Sequence, residues 1–213
     1  IKHDKERYEH KYEHCDLLVA GSGPSGLASA YAAAKNGARV ILAEDKPRFG
    51  GSLLTSEVNI GNQSGKEWAD NIISELKEMP NVIVKNRSQV FGYYDHNMLV
   101  MSEKLSDHLP KTKKYNPKQR LWYIRAKEVV ISSGSIERPL VFGNNDTPGV
   151  MLSSAAKEYL KVYGVLVGKK PLIFTNNDSG YETAIEFKKN GVDPVVLDTR
   201  KELKSEIIDE EIG

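Results

Sequence analysis

The chain has 213 residues, of which 39% are hydrophobic and 28% charged, and its formal net charge is +1 at pH 7. This composition is typical of a globular protein with a sizeable core, and the near-neutral charge argues against nucleic acid or an anionic membrane as a partner. No apolar run approaches the roughly 18 residues that span a bilayer, and the one cysteine excludes an internal disulfide and favours a reducing, cytoplasmic location.

The first fourteen residues, IKHDKERYEHKYEH, are strongly charged and begin with Ile. The histidines at positions 3, 10 and 14 match no common metal-ligand spacing. We therefore expect a solvated linker over residues 1–14, in the interior of a longer polypeptide that extends beyond both ends. Cys15, which follows, is expected to be a small buried residue at the start of a strand rather than a reactive thiol.

The next segments predict one βαβ unit. CDLLVAG is a short apolar run that ends in glycine, which indicates a buried parallel strand. The Ala-rich stretch from Ser25 to Asn36 predicts a helix that Gly37 terminates, and ARVILAE predicts a second buried strand that ends at Glu44. Strand, glycine turn, helix and strand together form a right-handed crossover unit.

The turn of this unit, VAGSGPSG, has the glycine spacing of a dinucleotide-binding loop. Gly21 permits the tight turn, Gly23 removes a Cβ that would block a pyrophosphate, and Gly26 lets helix and strand pack closely. The start of the helix then offers N–H groups and the positive end of its dipole to phosphates. Glu44 is placed to accept hydrogen bonds from the adenosine ribose and to repel a 2′-phosphate, so NAD or FAD is favoured over NADP. The basic residues Lys46 and Arg48 nearby weaken this preference slightly.

The middle of the chain predicts a helix followed by strands. In GKEWADNIISELKEM, the residues Trp68, Ile72 and Leu76 recur at helical spacing and are expected to face the core. Residues from about 90 to 128 alternate in the manner of a β-meander, and VVISSG predicts a further buried strand. The basic stretch PKTKKYNPKQR within the meander is expected to be a solvated loop rather than a nucleic-acid site.

The last part of the chain repeats the architecture of the first unit. Eighteen positions separate Gly180 from Asp198, the same spacing that separates the third loop glycine from the acid in the first unit. Thr175 and Asn177 stand where the first two glycines would be, and their side chains crowd the backbone that would cradle a diphosphate. We therefore predict a retained nucleotide fold in which dinucleotide binding is lost or altered and the Asn-rich turn is stabilised by Asx hydrogen bonds.

The elements together predict an α/β chain with three parts. These are the linker over residues 1–14, a dinucleotide-binding domain with the meander over 15–165, and a truncated second nucleotide-fold domain over 166–213. The helix SSAAKEYLKVY, near the end of the second of these parts, is expected to begin at a serine cap. No arrangement of nucleophile, base and acid can be identified, so no catalytic residue is assigned.

Several segments resemble the α subunit of heterotetrameric sarcosine oxidase. They are VAGSGPSGLASA, AEDKPRFGGSLL, VFGYYDHNMLV, QRLWYIRAKEVVISSGSIERPLVFGNNDTPGVMLSSA, YLKVYGV and TNNDSGYETA, and the similarity runs from about Cys15 to Arg200. The wider similarity is to flavoproteins of the glutathione reductase type. It implies a Rossmann-like FAD/NAD(P)-binding fold with a parallel sheet and a β-meander, followed by part of a second βαβ unit.

The resemblance also implies a function for the whole protein. It implies a subunit of an oxidoreductase that demethylates sarcosine to glycine, with transfer of the one-carbon unit to tetrahydrofolate or release of formaldehyde. FAD and FMN are implied in the whole complex, as are β, γ and δ partner subunits and further parts of the same polypeptide. The region in hand is implied to hold an NAD that does not turn over, and by itself it is not expected to be catalytic.

Carried over by motif, the NAD contacts implied by the resemblance come from the glycine loop, the ribose end and two later positions. They are Gly21, Gly23, Pro24, Ser25, Gly26, Glu44, Asp45, Lys46, Gly51, Ser52 and Val90. Ser52 offers a hydroxyl near the phosphates, and Val90 can flank the adenine. Two alternatives remain open: an FAD-dependent disulfide or amine oxidoreductase that binds FAD at the same loop, and an assembly scaffold that binds no nucleotide.

Overall fold

The structure, a computed structural model, describes residues 6–110 and 117–201. The chain divides into two units, Ile1–Gly134 and Ser135–Gly213. The first residues of the predicted linker, most of the predicted basic loop and the last twelve residues of the predicted second domain lie outside the described residues.

The first unit is built on a six-stranded sheet. Its strands are β1 (Tyr8–Ala20), β2 (Val40–Ala43), β5 (Val82–Lys85), β6 (Ser88–Tyr94), β7 (Met98–Lys104) and β8 (Gln119–Ile131), while β3 (Asn59–Ile60) and β4 (Gln63–Ser64) form a separate small hairpin. The order in the sheet is β5-β2-β1-β8-β7-β6. The first four strands in this order run parallel, and β6, β7 and β8 form an antiparallel meander. The predicted meander is thus present, and its last strand is continuous with the predicted VVISSG strand.

Two helices, α1 (Pro24–Lys35) and α2 (Gly65–Glu78), pack against one face of the parallel strands. Leu27 of α1 and Leu76 of α2 are fully buried, together with Val19 and Leu42 of the sheet. Small residues along α1 allow this close packing, because Ala and Gly add little between helix and strand. The predicted apolar stripe of α2 therefore faces the core, as expected.

The opposite face of the sheet has its own core, shared by the meander and the parallel strands. Leu18, Ile41, Met101 and Trp122 are all buried in it. The sheet curls, so that the start of β6 returns to the end of β2, where the Ser88 N–H donates a hydrogen bond to the Glu44 carbonyl at 2.7 Å. This curl brings the meander to the carboxyl edge of the parallel strands, where ligands bind in folds of this type.

The predicted linker is wrong for residues 8–14, which form the first half of β1 and pair in parallel with the first half of β8. Charged side chains in this segment find partners across the sheet. Glu9 accepts from the Arg120 guanidinium at 2.9 Å, and the Lys11 ammonium lies 4.2 Å from the centre of the Trp122 ring. These long-range partners turn a polar sequence into a strand, because cross-strand pairs stabilise a sheet.

Cys15 is 2% exposed in the middle of β1, in agreement with its expected structural role. Burial raises the pKa of the Cys15 thiol to about 12, so almost no thiolate is present at pH 8. Since the thiolate is the nucleophile, we expect alkylation by iodoacetamide at pH 8 to be at least about 100-fold slower in the folded protein than in urea. Mass spectrometry of timed samples measures both rates, and equal rates would contradict a buried thiol.

The second unit contains a parallel pair of strands and two helices. They are α3 (Ser153–Tyr163), β9 (Leu172–Thr175), α4 (Ser179–Lys189) and β10 (Val195–Asp198). Leu160 of α3 and Phe187 of α4 are buried in one cluster with Ile173 of β9. Because α3 packs within this cluster, the structure divides the chain after Gly134, whereas the sequence predicted the division at residues 165/166.

The predicted serine cap of α3 is wrong. Leu152 occupies the N-cap position, and no side chain caps it there. The Glu137 carboxylate instead accepts hydrogen bonds from the N–H of Ser154 at 2.9 Å and from its hydroxyl at 3.0 Å. A carboxylate suits this place because it interacts favourably with the positive end of a helix dipole. The helix ends at Gly164, as predicted, in the left-handed conformation.

Candidate dinucleotide-binding site

Two of the loop glycines allow the chain to pack tightly where β1 turns into α1. Gly21 has a φ of +104°, and a Cβ on it would collide with the backbone carbonyl of Ser132. A Cβ on Gly26 would collide with the Gly21 carbonyl oxygen and lie 2.5 Å from the Ser132 hydroxyl. That hydroxyl donates to the carbonyls of Ala20 and Gly21 at 3.0 and 2.9 Å. The loop is therefore held against the end of β8 through contacts that only glycine permits.

The remaining loop glycine, Gly23, has different surroundings. A Cβ built on Gly23 meets nothing within 4 Å, and its φ of −66° is open to any residue. It is the N-cap of α1, and no side chain among the described residues caps that helix, whereas Ser64 and Glu67 form a complete capping box on α2. The start of α1 therefore presents main-chain donors beside open space, which is the arrangement that binds phosphates.

The residues that follow the cap continue this surface. Pro24 begins the helix and has no N–H of its own, which suits the first helical position. Ser25 is exposed, and Gly26 is buried behind it. The first turn of α1 itself contains no acidic residue that would compete with an anion.

Glu44 follows the last residue of β2 and is only 6% exposed. One carboxylate oxygen accepts from the Ser22 N–H at 2.9 Å and from the Ser22 hydroxyl at 2.5 Å, and the other accepts from the Lys46 N–H at 3.0 Å. Burial raises the pKa of the Glu44 carboxyl above its usual value, and the carboxyl of Asp45 raises it further. Glu44 is thus oriented by the loop itself, and it joins the tip of β2 to the glycine turn. Asp45 and Lys46 lie exposed directly after it.

The second glycine pair packs against the first loop. The Gly50 N–H donates to the Ser22 carbonyl at 3.0 Å, and a Cβ on Gly51 would lie 2.8 Å from the Gly23 Cα. Gly51 begins a single 3₁₀ turn, Gly51–Leu54, in which Ser52 is exposed. The structure therefore brings Gly51 next to the glycine loop and leaves the Ser52 side chain at the surface.

Val90 is half-buried on β6 and packs on the core that includes Ala43 and Leu18. It lies two residues after Ser88, whose N–H is bonded to the Glu44 carbonyl. The strand is irregular between Val90 and Gly92, where the register with β7 shifts. The curl of the sheet thus brings the start of β6 to the end of β2, where Glu44 lies. Val90 would need to lie near this strand end in order to flank a nucleotide base.

Sequence reasoning missed two residues that shape this site, Ser22 and Ser132. Ser22 is fully buried and bonds the acid, and Ser132 bonds the loop carbonyls. Both are small polar residues directly beside predicted strand ends, and this signal was available in VAGSGPSG and VVISSG.

In the part of the chain that the structure describes, no helix is long and apolar enough to cross a membrane, and no three or more His, Cys, Asp or Glu side chains are grouped to hold a metal ion.

Known proteins are similar to this chain over nearly its whole length. Sarcosine oxidase subunit alpha of Rhizobium meliloti (strain 1021) is 44% identical over 198 residues, which cover 92% of this chain and 20% of that protein. The same subunit of Corynebacterium sp. (strain U-96) is 37% identical over 204 residues, which cover 95% and 21%. The resemblance indicated by the motifs is confirmed, and the chain spans about one fifth of the length of these curated relatives.

Two further comparisons concern the fold. The family described as FAD dependent oxidoreductase matches residues 16–110, which include the glycine loop and Glu44. The crystal structure of L-proline dehydrogenase from P. horikoshii has a TM-score of 0.72 at 23% identity, covering 92% of this chain and 38% of that one. At this identity the likeness shows the fold alone, and it confirms the predicted Rossmann-type α/β class.

Proposed function

We propose that this chain is the dinucleotide-binding region of a sarcosine oxidase α subunit and that its first unit holds NAD. The observation that carries the proposal is the open space at Gly23 beside the uncapped start of α1, with the buried acid Glu44 bonded to the same loop. This arrangement fits a pyrophosphate and an adenosine ribose. The 44% identity to a sarcosine oxidase α subunit supports the choice of family.

Each site residue has a definite part in this proposal. The main-chain N–H groups of Ser25 and Gly26 hold the pyrophosphate, and the Ser52 hydroxyl supports it. Glu44 binds the adenosine ribose, with Asp45 and Lys46 at the rim, and Val90 flanks the adenine. Gly21, Gly23, Pro24 and Gly51 shape the cradle rather than contact the ligand through side chains.

The similarity to sarcosine oxidase α subunits also supports a proposal for the activity of the whole protein. We propose a subunit of an oxidoreductase that demethylates sarcosine to glycine, with transfer of the one-carbon unit to tetrahydrofolate or release of formaldehyde. FAD and FMN supply the redox chemistry of that complex when they are bound, and β, γ and δ subunits are its partners. No catalytic residue is assigned within this chain, and a cytoplasmic location is part of the proposal.

A second candidate is a flavoenzyme that binds FAD at the same loop. It is favoured by the match of residues 16–110 to the FAD dependent oxidoreductase family. NAD and FAD share an ADP moiety, and the loop and Glu44 recognise that shared part. The two candidates therefore differ in which nucleotide is bound and not in which residues bind it.

The released nucleotide distinguishes them. The purified protein is heat-denatured, and the supernatant is analysed by absorbance and mass spectrometry. NAD without flavin supports the first candidate, and FAD overturns it in favour of the second. If the protein is empty, it is titrated with NAD and with FAD in turn by calorimetry, and binding of neither would contradict both candidates.

Replacement of Glu44 by alanine is expected to weaken NAD binding at least about 10-fold, because a ribose acceptor is lost and the loop loses its anchor. Glu44→Gln, which keeps one acceptor oxygen, is expected to lose less. Asp70→Ala is the matched control, since it removes an exposed carboxylate from α2 and is far in sequence from the loop. Calorimetric titration measures all three variants, and an unchanged affinity in Glu44→Ala would remove the acid from the site.

A further inference from the structure

The second unit repeats the local backbone of the first at its acid. In the first unit the Lys46 N–H donates to the Glu44 carboxylate at 3.0 Å, and in the second the Arg200 N–H donates to the Asp198 carboxylate at 2.9 Å. Each basic residue stands two positions after its acid at the end of the second strand. The ends of the two βαβ units, where the second strand lies next to the turn before the helix, can therefore be compared residue by residue.

The turn of the second unit is closed by its own side chains. The Thr175 hydroxyl donates to the Asn177 carbonyl at 2.9 Å and accepts from the Asn177 N–H at 3.2 Å. It thereby fixes the tight turn without a glycine. A Cβ on Gly180 would lie 2.7 Å from the Thr175 side chain, so the close approach of helix and strand is retained.

The start of α4 has an internal acceptor, unlike the start of α1. The Asn177 side-chain oxygen accepts from the Ser179 N–H at 3.0 Å and from the Ser179 hydroxyl at 2.6 Å. This is the Asx turn that the sequence predicted. It occupies a main-chain donor that a phosphate would use at the same place in the first unit.

Arg200 bridges the end of strand β10 and the start of helix α4. Its guanidinium lies 2.7 and 3.0 Å from the Asp198 carboxylate at the tip of β10 and 2.8 Å from the Asp178 carboxylate at the start of α4. The adenosine ribose of a Rossmann unit lies between these two points. In the first unit Pro24 stands at the position of Asp178, so this position carries no carboxylate there.

We infer that Arg200 is a latch that closes the second unit to nucleotides by bridging Asp198 and Asp178. Asn177 supports this closure by occupying the Ser179 N–H at the start of α4. The Asp198 side chain is only 5% exposed, and a ribose that displaced Arg200 would leave two acids facing each other. The fork-shaped pairing of the Arg200 guanidinium with the Asp198 carboxylate is stronger than an ordinary surface ion pair, whereas its contact with Asp178 is an ion pair without a hydrogen bond. The unit has therefore replaced the ligand contacts with contacts of its own rather than merely lost its glycines.

The latch is tested with ADP-ribose in a Gly23→Asp background, which disables the first loop and makes the result independent of the proposed NAD site. The opened variant is Asn177→Gly/Asp178→Asn/Arg200→Lys, and its matched control is Asn177→Gly, which keeps the latch. We expect calorimetry to detect no binding in the background and at least about 10-fold tighter binding in the opened variant than in the control.

Two results would overturn the inference. They are binding of ADP-ribose in the background itself, and a folded opened variant that binds no more tightly than the control. Thermal melting shows which variants fold. If the triple variant does not fold, Asp178→Asn/Arg200→Lys alone is compared with the background and the same ordering is expected. Loss of folding there too would show that these contacts hold the unit together instead of closing it.

Discussion

Replacement of Gly23 by aspartate is expected to abolish nucleotide binding in the first unit while the fold is kept. A Cβ at this position meets nothing within 4 Å, and the φ of −66° suits any residue. Aspartate is also a favourable N-cap, so α1 is expected to be as stable as before or more so. In the proposed complex, however, the new carboxylate would face the pyrophosphate. Like charges about 4 Å apart near a protein surface repel by about 4 kcal/mol, which corresponds to a roughly 1000-fold loss of affinity.

Calorimetric titration with NAD and thermal melting measure the two effects separately. Gly168→Asp is the matched control, because a Cβ there also meets nothing within 4 Å and its φ is not positive. The control is expected to bind NAD as the unmodified protein does. Tight binding by Gly23→Asp would show that the nucleotide does not lie on this loop, whereas a lost melting transition would show that the open space at Gly23 is a structural requirement.

The first βαβ unit could be predicted from the sequence because everything that defines it is local. Glycine loop, helix and acid follow one another without a break, and each has its own signal. The helix predicted from Ser25 to Asn36 is observed at Pro24–Lys35. What local pattern did not reveal is that Glu44 is bonded to Ser22 across 22 positions and is therefore part of the loop.

The first half of β1 could not be predicted, because its signal lies in a partner strand far along the chain. Residues 8–14 are polar and read as a linker until β8 is placed beside them. Arg120 then supplies the charge that Glu9 needs, 111 positions away. The same applies to the latch in the second unit, where Asp178 and Arg200 meet only once helix and strand are folded. The sequence alone was therefore insufficient to predict charge pairs between residues that are far apart along the chain.

Glu103→Ala is expected to destabilise the protein by about 3 kcal/mol, because it removes the buried acceptor of a partly buried network of this long-range kind. Glu103 is 6% exposed on β7. One carboxylate oxygen accepts from the Trp122 indole N–H at 2.7 Å and from the Arg120 guanidinium at 3.3 Å, and the other lies 3.0 Å from the Lys85 ammonium. Alanine would leave all three donors without this acceptor.

Chemical denaturation measures the loss, with Glu128→Ala as the control. Glu128 is exposed on β8, and its removal is expected to change the free energy of unfolding by no more than about 0.5 kcal/mol. Glu103→Gln keeps an acceptor for Trp122 but not the charge, so it should fall between the two. A loss below about 1 kcal/mol in Glu103→Ala would mean that water replaces the carboxylate without penalty.

The same variant links the fold to the site. Lys85 is the last residue of β5, and its carbonyl accepts the Glu44 N–H at 2.8 Å. The ion pair between Lys85 and Glu103 therefore ties the meander to the strand end that positions Glu44, the acid we propose for the ribose. We expect Glu103→Ala to weaken NAD binding about 10-fold even where it remains folded, and Glu128→Ala to leave it unchanged. Full affinity in a destabilised but folded Glu103→Ala would show that the loop and Glu44 hold their geometry without the meander.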